Sequence, residues 1–431
     1  MHLEILQKKI QKKEAVVGII GLGYVGLPLA LQILSYDLKV IGYDSDLKKI
    51  NSLLERKSYI KTVSDSDLQG KIFENFTPTS SEIDLKSVDI FIICVPTPLD
   101  KSLSPDLTYI LNAREVISKV IQGGSMISLE STTYPGCTEE LLGDFFAKNL
   151  IIGESVFVGY SPEREDPGNE DFSTGNIPKV VSGVTENCAK LMNDFYSIFI
   201  TKTVPVSSTK SAEMVKLLEN IYRSVNIGLI NEMKIIADKF DIDIFEVVDA
   251  ASTKPFGFNA FYPGPGLGGH CIPVDPFYLS WKAREYGYNA KFIELSGEIN
   301  REMPRYILEK TAYVLNESKK SINDSKILII GVSYKKDIDD IRETPASEIF
   351  SLLQASGSTI NYHDPYVPSF TVNSKNYSSV DLNKENINEA DITLIVTNHK
   401  NIDYDLIYNC SNAILDTRGQ YNINLEKVYR G

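Results

Sequence analysis

The sequence predicts an α/β protein made of two Rossmann-like, doubly wound sheets joined by a long central helix. Three observations point there. A strand, glycine turn, helix and strand follow one another over residues 14–44; a proline-free run with helical periodicity occupies 211–240; and a new buried strand at 326–332 opens a second set of alternating strands and helices. A chain of 431 residues also exceeds what one hydrophobic core ordinarily serves. We therefore expect a nucleotide-binding segment at 1–204, a central helical segment at 205–317 and a second sheet at 318–431.

Composition narrows the function. A hydrophobic content of 43% and a charged content of 23% belong to a globular chain. The net charge of −13 argues against a nucleic-acid partner or an anionic membrane surface, while leaving room for a local basic pocket. Cys94, Cys137, Cys188, Cys271 and Cys410 form no CxxC pair, so neither a metal site nor a disulfide framework is expected. The start carries lysines without the apolar run of a signal peptide, and no stretch of about 18 apolar residues occurs. A cytoplasmic location follows as an expectation, with the lysine-rich start as the one loose part.

Val16 to Ile20 reads as the first strand, Leu27 to Leu34 as a buried helix, and Lys39 to Tyr43 as the second strand. Between them Gly21, Gly23 and Gly26 spell G-x-G-x-x-G, with Tyr24 and Val25 inside it. Asp44 stands roughly 20 residues on, the context that turns a glycine triplet into a dinucleotide fingerprint. Glycine lets the chain turn tightly and brings main-chain N–H groups to a pyrophosphate at the helix N-terminus. A carboxylate at Asp44 accepts from ribose hydroxyls and repels a 2′-phosphate, which predicts NAD rather than NADP.

The apolar runs Val88–Val95, Ser125–Leu129 and Val156–Tyr160 read as further parallel strands, each ending in a polar loop. These loops are Pro96-Thr97-Pro98, Glu130 to Gly136, and Ser161 to Gly168. They fall at the carboxyl edge of the sheet, where ligands of doubly wound folds sit. The helix expected from Ser211, its N-cap, to about Phe240 would span roughly 45 Å. It is apolar on more than one face, as suits a spine between domains or a subunit interface. On it Lys216 and Asn220 share a face.

The stretch from Phe261 to Pro276, FYPGPGLGGHCIPVDP, surrounds one cysteine with glycines and prolines and places Asp275 four residues beyond it. Gly264 and Gly268 let backbone approach a ligand closely. A thiol in such a loop suits covalent attack on a carbonyl carbon; taken alone, the stretch equally suits a buried structural cysteine. Helices then run through Asn300 to Pro304 and on to about Glu317. Strands follow at Lys326–Val332, Ser358–Tyr362, Asp391–Val396 and Ala413–Asp416, with a helix at Ala346–Ser356. This sheet lacks the dinucleotide fingerprint but places Lys335 and Arg342 where they can meet phosphate.

Taken together, the glycine fingerprint, Ser131-Thr132, Ser161-Pro162-Glu163, Lys216 with Asn220, Gly268 to Pro276 with His270 and Cys271, and Lys335 to Arg342 resemble the UDP-glucose/GDP-mannose dehydrogenase family over nearly the whole chain. Thr253 to Phe258, TKPFGF, with the loop after it resembles the branch that oxidises UDP-N-acetylglucosamine. The resemblance implies a four-electron oxidation of a sugar C6 alcohol to a carboxylate with NAD, through a thiohemiacetal and a thioester on Cys271. The product would be a surface-polysaccharide precursor. It further implies that Lys216 and Asn220 stabilise the oxyanion, that Asp275 positions water and moderates the lysine, and that Glu163 and Thr132 serve as base and water-orienting groups. Thr97, Thr132 and Lys49 would lie along NAD, with Arg342 near the phosphates of either nucleotide. The UDP-sugar would meet Phe261, Gly264, Gly268 and Lys335, besides Glu163, Lys216 and Asn220. The central helix would pair two copies as a homodimer or higher homo-oligomer. Two departures stand out: Lys254 replaces an arginine of the UDP-glucose branch, and Glu165 is spaced differently from that branch's second acid.

Two other activities use the same residues differently. A two-electron hydroxy-acid dehydrogenase would have no need of Cys271, and a non-catalytic NAD sensor would need neither Cys271 nor Asp275.

Overall fold

The computed structural model describes residues 1–60, 63–100, 102–164, 175–269, 271–422 and 424–431, with the side chains of 71 and 72 left aside. Glu165 and His270 thus lie outside the described residues. The chain packs into two compact units, one made of 1–219 with 277–288, the other of 220–276 with 289–431. This grouping by packing is a different partition from the division by binding role at 204/205 and 317/318.

The first unit carries one eight-stranded sheet. Its strands are β1 (Val16–Ile20), β2 (Lys39–Tyr43), β3 (Phe76–Thr79), β4 (Ile90–Ile93), β5 (Ser125–Leu129), β6 (Val156–Tyr160), β7 (Lys179–Gly183) and β8 (Thr203–Pro205), in the order β3-β2-β1-β4-β5-β6-β7-β8. All neighbours are parallel except β6 and β7. Residues such as Ile92, Ile127 and Val158 are fully buried because helices cover both faces, so the strands read as unbroken apolar runs. The order reverses at β1, which pairs with β2 on one side and β4 on the other. A ligand crevice forms at such a switch point, beyond the carboxyl ends of the strands.

The lysine-rich start is not loose. His2–Gln11 is a helix with Leu6 and Ile10 buried, and Lys9 pairs with Asp89 at 2.7 Å. Leu3, Leu6 and Ile10 have the spacing of one helix face, a signal that the neighbouring lysines hid. The expected strand at 88–95 shortens to Ile90–Ile93, since the Asp89 carboxylate caps the sheet edge by accepting from the Val16 N–H at 3.0 Å.

The long helix runs Thr209–Lys239. Its start corrects the expected N-cap: Ser208 Oγ accepts the Ser211 N–H at 3.1 Å, so Ser211 lies inside the first turn. The division between the two units falls within this helix, between Glu219 and Asn220.

The second unit carries the parallel sheet β10-β9-β13-β14-β15 and an antiparallel hairpin. The strands are β9 (Lys326–Ile330), β10 (Thr359–His363), the hairpin β11 (Ser369–Val372) and β12 (Lys375–Ser378), then β13 (Ile392–Ile395), β14 (Ile414–Asp416) and β15 (Val428–Arg430). Pro345 opens the helix Pro345–Ala355, with Thr344 as its cap. Lys291–Glu317 is a single helix with Pro304 inside it. A proline removes the hydrogen bond to the carbonyl four residues back, here that of Asn300. Gly266 packs against that gap: a Cβ on it would lie 3.6 Å from both Asn300 O and Pro304 Cδ.

Candidate active site

In the first unit, the turn after β1 is held from two sides. Gly21, at φ +97°, donates its N–H to Tyr43 O at 2.8 Å, and the Leu22 N–H donates to Asp44 Oδ2 at 2.9 Å. Lys49 Nζ reaches the same Asp44 oxygen at 2.8 Å. A Cβ on Gly26 would strike the Gly21 carbonyl, whereas a Cβ on Gly23 would meet nothing within 4 Å. Close packing explains one glycine and open space the other. Tyr24 and Val25, between them, are half-buried.

The loops after β4 and β5 are tied together, because Ser131 Oγ donates to Val95 O at 2.8 Å and accepts the Val95 N–H at 3.0 Å. Thr97 is buried there and Thr132 half-buried. Glu213, on the long helix one turn before Lys216, is completely buried. It accepts from Gly136 N at 2.6 Å, Thr138 N at 2.8 Å and Thr138 Oγ1 at 2.7 Å. A carboxylate receiving several donors fixes the loop that follows Thr132. The sequence reading missed it; its position three residues before Lys216 was the available signal.

After β6, Glu163 Oε1 accepts the Arg164 N–H at 2.6 Å, and Lys216 Nζ donates to the Glu163 main-chain oxygen. Behind Glu163 lies Lys179, 2.9 Å from Glu130 and 3.9 Å from Glu163. Burial alone would lower the Lys179 pKa, but the two carboxylates hold it above its ordinary value. Tyr196 completes this buried cluster by donating to Glu130.

The second unit holds the cysteine loop. Cys271 is exposed, which answers the question left open by its sequence: it is not a buried structural cysteine. Its carbonyl accepts the Asp275 N–H at 2.8 Å, so the thiol stands one turn before the helix Asp275–Glu285. The Asp275 carboxylate is 1% exposed and accepts from Asn220 Nδ2 at 2.6 Å. Asn220 is thereby fixed by a residue 55 positions away, and both stand with Cys271 in the same unit.

The glycine loop before the cysteine is pinned along its length. Phe261 packs edge-on to Tyr222 at 5.8 Å, and the Gly264 N–H donates to Asn231 Oδ1 at 2.9 Å. Gly268 lies against Tyr334, leaving no room for a Cβ, and Gly269 donates its N–H to Arg342 O at 3.0 Å. Lys335 is half-buried beside Tyr334. Arg342, expected along the cofactor, belongs to the second unit, where its Nη2 pairs with Asp340 at 2.6 Å. Among the described residues no group of three or more metal-ligating side chains occurs, and no helix is long and apolar enough to cross a membrane.

Three family models match in succession: the NAD binding domain of the UDP-glucose/GDP-mannose dehydrogenase family at residues 15–200, its central domain at 210–302 and its UDP binding domain at 328–423. The chain belongs to that family. A UDP-N-acetyl-D-glucosamine 6-dehydrogenase of Pseudomonas aeruginosa is 36% identical, over 82% of this chain and 84% of its own length. A UDP-N-acetyl-D-mannosamine dehydrogenase of Methanocaldococcus jannaschii is 35% identical, over 94% and 93%. The solved structure of a UDP-D-ManNAc dehydrogenase from Pyrococcus horikoshii superposes with a TM-score of 0.87 at 29% identity, covering 96% of this chain and 98% of that one. The protein is an NAD-dependent nucleotide-sugar dehydrogenase, with a UDP-sugar as substrate.

The residues present fit NAD. There is open space beside Gly23 at the N-terminus of the helix Gly26–Leu34, where a pyrophosphate would fit, and a carboxylate at Asp44 that would face the ribose. What the bound cofactor supplies is hydride acceptance.

The second unit of the dehydrogenase also buries a lysine whose Nζ lies 5.7 Å from the centre of the Tyr306 ring. Lys234 is 2% exposed, its Nζ has no hydrogen-bond partner among the described residues, and burial pushes its pKa down to about 7 although Asp416 pulls the other way. An unfolded lysine titrates near 10.4. Between those values the unfolded chain holds a proton that the folded chain has released, so stability should rise with pH from about 7 to about 10. Below about 7 both states are protonated and the full cost remains. Lys234→Met should therefore stabilise the protein at pH 7 by on the order of 2–4 kcal/mol, with the gain shrinking toward pH 10. Urea denaturation across that range measures it; a gain independent of pH would show that burial of the charge is not the cause.

Proposed function

We propose that this dehydrogenase carries out the four-electron oxidation of UDP-N-acetyl-D-glucosamine at C6 to the uronic acid, a precursor for surface polysaccharide. The observation that carries the reading is the exposed Cys271 thiol set one turn before Asp275, with Asn220 fixed on that carboxylate. A two-electron oxidation has no use for a nucleophile. Going on from aldehyde to acid does, because an aldehyde carbon must become tetrahedral before it can give up a second hydride. Cys271 Sγ adds to that carbon, and the bond to sulfur persists through the thioester until water releases the acid.

Asn220 and Lys216, one turn apart on one helix, donate to the oxygen that gains charge as sulfur adds. Lys216 leaves the Glu163 carbonyl to do so. Asp275 orients the Asn220 amide, positions water and moderates Lys216, while Glu163 and Thr132 serve as base and water-orienting groups. Asp44, Lys49, Thr97 and the glycine turn at 21–26 bind NAD. Residues 1–204 act in this scheme as the NAD-binding part, 205–317 as the dimerising part with the cysteine loop, and 318–431 as the UDP-sugar part, through Lys335 and Arg342.

The sugar assignment draws support from the Pseudomonas aeruginosa relative and from the TKPFGF stretch. The mannosamine epimer is the second reading, favoured by the archaeal relatives. The test is to count NADH per sugar consumed with UDP-N-acetylglucosamine, UDP-N-acetylmannosamine, UDP-N-acetylgalactosamine, UDP-glucose and GDP-mannose. Two NADH per UDP-N-acetylglucosamine are expected. One NADH per sugar overturns the thioester route; two with another sugar alone moves the substrate; none with any sugar leaves an NAD sensor.

The central helix supports a homodimer. Met214, Leu218, Tyr222, Leu229, Met233 and Ile236 are 39–61% exposed along it, a row of large apolar side chains that would be costly to leave in water. Light scattering at micromolar concentration should give about twice the chain mass of 48.1 kDa. A monomer's mass would rule the interface out.

A further inference from the structure

We infer that His399 is a positioning residue for the UDP part of the substrate: it locks the loop 332–337 that carries Tyr334 and Lys335. The inference rests on the proposed role of the second unit in holding that part.

The two sheets repeat one local design. Gly331, at φ +76°, donates its N–H to His363 O at 2.9 Å, as Gly21 does to Tyr43 O at 2.8 Å. In each case an aspartate follows the second strand and accepts the N–H of the residue after the glycine: Asp44 from Leu22 at 2.9 Å, Asp364 from Val332 at 2.7 Å. Each aspartate also accepts the N–H two residues on, that of Asp46 at 2.9 Å and that of Tyr366 at 2.8 Å. There the likeness stops: Asp364 further accepts from Ser333 N at 3.3 Å, Val367 N at 3.1 Å and His399 Nε2 at 3.1 Å. Its side chain is fully buried, as is that of His399. The acid that would meet a ribose in a dinucleotide site is spent here on anchoring the chain.

The histidine is fixed in one tautomer. The Asp337 N–H lies 2.9 Å from His399 Nδ1, and because a backbone N–H can only donate, Nδ1 keeps its lone pair and Nε2 carries the proton given to Asp364. Three main-chain N–H groups of the loop, those of Val332, Ser333 and Asp337, therefore end on this Asp364–His399 pair. Asp337 sits at φ +63°, a conformation that costs energy outside glycine and persists because its N–H is held. Between the anchors, Ser333 Oγ donates to Lys335 O at 2.9 Å, and Tyr334 packs against Gly268 and Gly269 of the cysteine loop. Removing the Nδ1 acceptor frees the end of the loop nearest Lys335 without touching Cys271.

Two variants separate the bond at Nδ1 from those at Nε2, which lies 3.3 Å from Ser333 Oγ besides its bond to Asp364. His399→Asn keeps an acceptor near the Nδ1 position and drops the bond to Asp364; His399→Gln keeps a donor near the Nε2 position and drops the bond to Asp337. Titration calorimetry with UDP alone, followed by steady-state kinetics with the preferred UDP-sugar, reads the result. His399→Gln should weaken UDP at least tenfold and raise the UDP-sugar KM to match, with kcat within twofold and the NAD KM unchanged. His399→Asn should stay within threefold of the wild type throughout. Wild-type affinity in His399→Gln, or a tenfold loss in His399→Asn, overturns the inference, so either variant decides if the other fails to fold. A kcat and an NAD KM that worsen in step with UDP affinity would also overturn it, since a merely structural histidine predicts that pattern. Failure of the wild type to bind UDP would instead strike at the role proposed for the second unit.

Discussion

Cys271→Ala is expected to abolish formation of the UDP-uronic acid while leaving NAD and UDP binding at wild-type strength. The thiol is exposed, and the loop before it is pinned at Gly264, Gly268 and Gly269. Removing the thiol takes away the nucleophile while the anchors at those glycines stay. Losing an attacking group that forms a covalent bond to substrate should cost at least about 10³-fold in turnover to acid, or about 4 kcal/mol in the barrier. Cys271→Ser should do little better, since a hydroxyl is a far weaker nucleophile than a thiol at neutral pH. The assay is NADH production with product analysis. Two NADH per sugar at the wild-type rate from the alanine variant would remove Cys271 from the mechanism.

Gly23→Ala should separate cofactor binding from folding. A methyl group at this position meets no atom within 4 Å, so the melting temperature should stay within about 2 °C of the wild type. The same methyl group fills space that the pyrophosphate needs, so NAD should bind about 100-fold more weakly, a loss near 2.7 kcal/mol. Gly26→Ala supplies the contrast: its Cβ would collide with the Gly21 carbonyl, a backbone atom with no room to move, so stability and NAD affinity should fall together. Calorimetric titration with NAD beside a thermal melt distinguishes them. Undiminished NAD affinity in Gly23→Ala would mean that the open space beside the turn is not where the cofactor lies.

Elements that bury both faces were legible in the sequence. β1, β5 and β6 fall on the residues expected, because a strand covered by helices on both faces is largely apolar. The glycine turn with Asp44 was legible because Gly21 takes a positive φ, which glycine adopts most readily, and Gly26 has no room for a Cβ. Short edge strands such as β3, β8 and β15 were not, since three or four residues carry too little pattern to distinguish them from loop. The helix His2–Gln11 was hidden by its lysines, whose charges lie on the face away from Leu6 and Ile10.

The sequence by itself determined the fold class and the NAD cofactor, and it located the glycine turn and the cysteine loop, since each rests on residues close together in the chain. Tertiary structure alone decided which polar side chains are buried and what they hold. Asn220 meets Asp275 across 55 residues, Glu213 reaches the loop at Thr138 across 75, and His399 reaches Asp337 across 62. A buried polar group is stable only with its partner in place, and such partners are brought together by the sheets and helices between them rather than by any local pattern.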